Sequence, residues 1–270
     1  MDVIQKQYKL EPNRRVSQLV TILILCLLFG WSLSAIEFEQ LTTNGFTIAK
    51  NILVGLVQPD LSLLVNFTTS GVPYLLIETM AIAFLGTIVG SILAIPLAFL
   101  SASNIVPKPI AIMVRFLLIM IRTIPAIVYG LMFIRVTGPG PFAGVLTMSL
   151  VSIGMLSKLY VDVIEDLDIS ILESMESIGC TTLEKISFGI LPQLLASFLS
   201  IVIYRFDMNL RDATVLGLVG AGGIGAPLIF AMNSYRWSEV SSILIGLILL
   251  ILIIEYISNK IRTKLVRGGN

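Results

Sequence analysis

Not one histidine occurs in the 270 residues of this chain, which removes imidazole acid–base catalysis and imidazole metal ligation from its chemistry. Charge is scarce as well. Asp, Glu, Lys and Arg make up 13% of the sequence and the formal net charge is +1, a balance that argues against a nucleic-acid partner. Cysteine is limited to Cys26 and Cys180; one lies in an apolar run and the other in a polar segment, so no disulfide is expected and both read as packing residues. The sequence holds no Gly-x-x-x-x-Gly-Lys-Ser/Thr, the loop with which an ATPase cradles phosphates. What fills the chain is apolar. Hydrophobic residues at 56% and a mean hydropathy of +0.95 leave too little polar surface for a soluble globule of this length.

A helix needs about 20 apolar residues to cross a bilayer, and six runs qualify: 16–36, 74–101, 109–135, 140–161, 190–217 and 237–258. The first is long, and no mature-domain start follows Ser32, Ser34 and Ala35, so it reads as a retained helix rather than a signal peptide. An even number of spans puts both ends on one side, and basic residues say which. Lys6, Lys9, Arg14 and Arg15 precede the first span, and Lys260, Arg262, Lys264 and Arg267 follow the last, whereas the loop 37–72 holds only Lys50. Both termini are therefore expected in the cytoplasm. That orientation also puts 162–189 inside, an acidic segment with an apolar helical stripe of Ile171, Met175, Ile178, Leu183 and Ile186. Gly179 is expected to divide it into two short helices lying along the membrane surface.

Within that segment Glu173, Ser174 and Met175 are followed by three residues, then Gly179, and Leu191-Pro192 closes the stretch. This resembles the loop of ABC-importer permeases: Glu-Ala-Ala, three residues, Gly, nine residues, Ile, one residue, Leu-Pro. Ser174 and Met175 stand where that family has alanines, and Gly189 where it has Ile, with Ile190 beside it. An interfacial amphipathic helix without a partner is the alternative; the spacing to Leu191-Pro192, just ahead of a new span, favours docking into a partner's groove.

Residues 204–225 extend the likeness. Tyr204-Arg205-Phe206-Asp207, Asn209, Arg211, Thr214-Val215-Leu216-Gly217 and the glycines Gly220, Gly222, Gly223 and Gly225 resemble the corresponding stretch of phosphonate-importer permeases, as does Arg122-Thr123-Ile124-Pro125. The resemblance spans about residues 70–260. Gly220 to Gly225 also spell Gly-x-Gly-x-x-Gly, but a dinucleotide site needs a strand before it and an acidic residue about 20 positions on, and a membrane span precedes it here. The glycines read either as an irregular, gating backbone at the outer mouth of a pathway or as contacts for tight helix packing.

Cations in apolar spans point to a wet path or to a partner. Arg115 lies near a span end and can snorkel. Arg122 sits mid-span, one turn ahead of Pro125, which is expected to kink the helix and free a carbonyl. Arg205 lies roughly 20 Å along a helix from Pro192. Arg122, Arg205, Asn209 and Arg211 are thus candidate path residues, since a guanidinium fork suits phosphonate oxygens. Neutralisation within the protein is the competing reading. Asp207 and Arg211 are spaced as a favourable helical pair, while Arg205 and Asp212 share a face but are expected to be too far apart for direct contact.

The remaining features read as structural. Glu78, near an outer span end, pairs with an arginine or faces water; Pro96 kinks its span; Gly86 and Gly90 allow close helix contact. Gly138-Pro139-Gly140-Pro141 is a turn, and 37–72 is long enough to hold short outer-surface helices.

The resemblance implies an all-α membrane protein with the MetI-like type I ABC importer permease fold, six transmembrane helices and one transmembrane domain over 1–270. Residues 1–72 form the N-terminal part, 73–260 the core and 162–192 the coupling loop. It implies a multi-pass protein of the bacterial inner membrane that carries phosphonate or a related phosphorus oxyanion. The expected partners are ABC ATPase subunits docked on Glu173, Ser174, Met175, Gly179, Leu191 and Pro192, a periplasmic or lipid-anchored substrate-binding protein, membrane lipid, and a second permease in a homodimer or heterodimer. No cofactor or metal is expected on this chain; the partner subunit hydrolyses ATP. A methionine-type importer shares this general plan. A secondary transporter is the rival class, but no internal repeat supports it. An intramembrane enzyme is a third, but no catalytic constellation stands out.

Overall fold

The computed structural model describes residues 14–34 and 45–267. Lys6, Lys9, the last two residues of the expected first span and loop residues 37–44 lie outside them. The chain falls into two units, Met1–Asn51 and Ile52–Asn270. The first holds α1 (Arg14–Ser34), in which Val16–Ser34 is long and apolar enough to cross a bilayer. α2 (Gly45–Val57) begins there and continues into the second unit.

The second unit continues with α3 (Leu61–Val65), α4 (Val72–Ser101), α5 (Lys108–Thr123), α6 (Ala126–Thr137), α7 (Pro141–Glu165) and α8 (Ile169–Ser177). After these come α9 (Thr182–Glu184), a π-helical turn (Lys185–Ile190), α10 (Leu191–Gly217), α11 (Gly225–Asn233) and α12 (Trp237–Arg267). Every regular element among the described residues is helical. Among the described residues, five helices are long and apolar enough to span a membrane, or six when α5 and α6 count as one span.

That proviso corrects the third expected span. It is not one kinked helix but two, bent by 83° at Ile124-Pro125. Proline excludes the helical conformation from the residue before it, and Ile124 is extended at φ −84°, ψ 126°. Pro125 also has no N–H for the Ile121 carbonyl; the buried Tyr129 hydroxyl donates to that oxygen instead, at 3.1 Å. Arg122 therefore stands in the last turn of α5, beside the break, rather than in mid-helix.

Packing centres on α4 against α7. α4 is apolar on all sides, so smallness rather than hydrophobicity marks its packed face, as expected where lipid is as apolar as leucine. Ala83, Gly86, Gly90, Ala94 and Ala98 are buried, while Phe84, Leu85, Ile92 and Leu93 are exposed. A Cβ on Gly86 would overlap Met148 Cβ, and one on Gly90 would lie 2.5 Å from Ser152 Cβ. The helix runs unbroken through Pro96. Three apolar clusters follow this axis. One near the 169–192 hairpin includes Tyr160 and Phe198, whose rings stack at 4.3 Å. A central one includes Ile82, Met148 and Leu216, and a third joins Val72 and Leu75 to Ile224 and Val240.

Candidate functional site

The hairpin owes its shape to its caps. The Asp168 carboxylate accepts from Ser170 N at 2.9 Å and starts α8. At the other end Cys180 N donates to Met175 O at 3.0 Å and Gly179 N to Glu176 O at 2.9 Å. This is the Schellman pattern, with Gly179 in the left-handed position at φ +83°. Thr181 then opens the next helix through a capping box: its backbone N–H donates to Glu184 Oε2 at 2.7 Å, and Glu184 N donates back to the Thr181 hydroxyl at 3.4 Å. Lys185 Nζ, 2.9 Å from Glu176 Oε2, ties the two arms together.

Three carboxyls of the hairpin sit below their ordinary range, each for a local reason. Asp168 is lowered by the backbone and then the hydroxyl of Ser170, Glu184 by the backbone and then the hydroxyl of Thr181, and Glu176 by the hydrogen bond and then the charge of Lys185. Lowered folded values mean that these caps hold at neutral pH and weaken as pH falls through them.

The second arm is not a separate surface helix, as the sequence suggested. Thr182–Gly217 runs as one continuous helix of 36 residues whose first turns belong to the hairpin. Its register shifts within Lys185–Ile190, where Leu191 N donates to Ile186 O five residues back. The widened turn ends just before Pro192, whose ring would crowd the carbonyl four residues earlier. The Gln193 side chain donates to Gly189 O at 2.9 Å, filling an acceptor there.

Of the six expected coupling residues, Glu173 and Ser174 are exposed on α8 and Pro192 is exposed at the second position of α10. Leu191 packs against the hairpin-end cluster. Met175 faces Gly189, where an added Cβ would meet its sulfur. Two of the three departures from the family's pattern are thus one exchange of volume: Met175 replaces alanine opposite Gly189, which replaces isoleucine. Gly189→Ile alone is expected to destabilise by about 1–3 kcal/mol through overpacking, and Met175→Ala in the same chain to restore most of it. Thermal unfolding of the four proteins of this cycle measures the coupling; additive effects would separate the two positions.

Around this frame Ile178, Leu183 and Phe188 are exposed, between 76% and 78%. The expected stripe therefore splits, because Ile171, Met175 and Ile186 are partly buried. Phe188, which carried no sequence signal of its own, lies within the π turn.

The candidate path residues fall into separate places. Asn209 is fully buried and donates from Nδ2 to Thr87 Oγ1 and Ser152 Oγ, each at 2.8 Å. Arg205, 3% exposed, donates from Nε to the same Ser152 hydroxyl at 3.2 Å and from Nη1 toward Met155 Sδ. Together they make a polar seam joining α4, α7 and α10. Asp212 lies 3.7 Å from Arg205 Nη2, which corrects the expectation that the pair is out of reach: the arginine side chain spans the two turns. Arg211 pairs with Asp207 at 3.1 Å, as its spacing predicts, and with Glu255 of α12 at 3.2 Å. Arg122 is brought to none of these. Its stem crosses Gly154, where a Cβ would lie 2.7 Å from Arg122 Cγ. Thr87 and Ser152 were missed by sequence reasoning; the signal available was their place on the small-residue faces of α4 and α7.

The glycine segment is an irregular turn between α10 and α11, with Gly220, Gly222 and Gly223 at φ +95°, +83° and +73°. Its amides are satisfied by α4: Gly223 N donates to Glu78 Oε1 and Ile224 N to Thr79 Oγ1, both at 2.9 Å. The half-buried Glu78 thus accepts from a backbone amide rather than pairing with an arginine. Close approach is equally marked, since a Cβ on Gly222 would lie 2.7 Å from Pro141 Cα, and one on Gly217 the same distance from Gly225 Cα. No strand precedes the turn among the described residues, so the Gly-x-Gly-x-x-Gly string lacks the setting of a dinucleotide site.

Residues 94–267 match the family described as "Binding-protein-dependent transport system inner membrane component". A phosphite transport system permease protein of Stutzerimonas stutzeri, PtxC, is 30% identical over 250 residues, covering 92% of this chain and 89% of that protein. The phosphate-import permease protein PhnE of Mycolicibacterium smegmatis is 35% identical over 193 residues, which is 71% of this chain and 36% of that longer one. A chain of the MetNI methionine ABC transporter, in an inward-facing crystal form, superposes with a TM-score of 0.61 over 70% of this chain and 94% of its own length. Its identity is 19%, so that likeness is one of fold.

Proposed function

Since this chain belongs to the family of binding-protein-dependent transport system inner membrane components, and is a multi-pass, all-helical ABC importer permease of MetI-like fold, we propose that it forms half of a translocation path for phosphonate or a related phosphorus oxyanion. A second permease copy or relative supplies the other half. The names of relatives such as PtxC support the substrate class. The family is a transport component and not itself the ATPase, so ATP is hydrolysed by separate subunits and an external binding protein delivers the ligand.

The observation that carries the coupling role is the hairpin, a doubly capped, ion-paired element with Ile178, Leu183 and Phe188 exposed around it. Both termini and this hairpin face the cytoplasm in this reading, and the apolar side chains seat in an ATPase groove. Because the second arm continues into α10, displacement of the hairpin is carried along one helix to the glycine turn at its far end. Gly220, Gly222, Gly223 and Gly225 act there as the gate, held against α4 by Glu78 and Thr79 until α10 moves. The chain contributes no covalent chemistry.

Uptake by cells expressing the chain with its ATPase and binding protein tests this. Saturable accumulation of methylphosphonate or phosphite is expected, and it should stop when ATP hydrolysis by the partner is blocked. Uptake that persists without hydrolysis would make the chain a secondary transporter instead.

A further inference from the structure

One face of α5 carries Arg115 and Arg122 two turns apart, and it meets a stripe of α7 that carries Lys158, Asp162 and Glu165. Between the stripes lies a cavity of about 300 Å³, ample for several waters or a small anion. Its charges are unevenly matched. Arg115 pairs with Glu165 and donates from Nε to Ser101 O at 2.8 Å, and Lys158 pairs with Asp162. Arg122 has no hydrogen-bond or ion-pair partner among the described residues, so three cations face two carboxylates. Its stem is fixed against Gly154, which holds the guanidinium beside the cavity. An uncompensated guanidinium within a membrane-spanning region is costly, and an anion relieves that cost.

We propose that this cavity binds a substituted phosphorus oxyanion, with Arg122 as its principal ligand and Lys158 as a second cation. The guanidinium fork meets two oxygens of one phosphorus. Arg115 and Lys158 are each engaged by a carboxylate, which leaves one net positive charge on the lining, and Leu118 and Val161 add apolar wall. The walls therefore suit an anion with one carbon substituent rather than bare phosphate. Two sources share this chemistry: an organophosphonate in transit, which rests on the importer reading, and the phosphodiester headgroup of an anionic lipid, which does not.

The full chain in lipid nanodiscs distinguishes them. One arm titrates methylphosphonate in phosphatidylcholine discs; the other compares thermal unfolding in those discs with discs containing phosphatidylglycerol. Arg122→Gln removes the charge, Arg122→Lys keeps the charge without the fork, and Arg135→Gln, an exposed arginine outside the cavity, is the control. Saturable methylphosphonate binding that weakens about tenfold or more in Arg122→Gln, and less in Arg122→Lys, assigns the site to phosphonate. Stabilisation by phosphatidylglycerol in the wild type and Arg135→Gln but not in Arg122→Gln assigns it to lipid. Either result supports the oxyanion site. If both arms leave wild type and Arg122 variants alike, the inference is overturned, while ATP-dependent uptake still reports on the importer reading by itself.

Discussion

A Gly179→Val chain is expected to fold into the membrane and yet lose its ATPase in co-purification, with substrate uptake falling at least about tenfold. The two outcomes separate because of where the glycine sits. A Cβ at Gly179 would have no neighbour within 4 Å, so no packing is disturbed. The cost is conformational: at φ +83° a β-branched residue is strained, by about 1–3 kcal/mol. Relieving that strain undoes the Schellman bonds at Met175 and Glu176 and swings α8 away from the Thr181 cap. A shift of that size changes the population of the docked hairpin by roughly 5- to 150-fold. Gly179→Asn, which tolerates the left-handed region, is expected to retain most of the association. Equal co-purification by the valine and asparagine variants would mean that hairpin geometry does not govern docking.

Arg205→Ala should have the opposite signature, a loss of stability with little change in apparent substrate affinity. The side chain is 3% exposed and bonded to Ser152 and Met155. Its removal leaves a cavity in the α4/α7/α10 seam and two groups with fewer partners, a cost of about 2–4 kcal/mol. The Asp212 contact adds little to this, since that carboxylate is 45% exposed and 3.7 Å away. Thermal unfolding in detergent and the concentration dependence of uptake, measured on one preparation, decide the matter. An unchanged midpoint with a raised half-saturation concentration would return Arg205 to the substrate path.

The contrast between those two residues reflects what a sequence encodes locally. The break at Gly179 and the apolar runs of most spans were legible, because a glycine's freedom and apolar run length are properties of the local sequence. Pro125 pointed to a bend, but neither its 83° angle nor the group that donates to the freed Ile121 carbonyl, the Tyr129 hydroxyl, is legible before the chain folds. The last span was expected to end at 258, where hydropathy falls, yet α12 runs to Arg267 because backbone bonding continues through Lys260, Arg262 and Lys264 after the apolar run stops. Arg205 and Asn209 looked like path residues for a related reason. A polar side chain at membrane depth signals a partner without saying whether it is substrate or Ser152 and Thr87. The exchange between Met175 and Gly189 is legible only when the π turn brings the two together.

Everything in the coupling account requires the hairpin to face the ATP-bearing side of the membrane, and Cys180 at its turn is a built-in reporter. With Cys26→Ser removing the other thiol, a membrane-impermeant maleimide should modify Cys180 in inverted membrane vesicles and leave it unmodified in right-side-out spheroplasts until they are permeabilised. Modification in intact spheroplasts would put the hairpin on the outer face and contradict the mechanism.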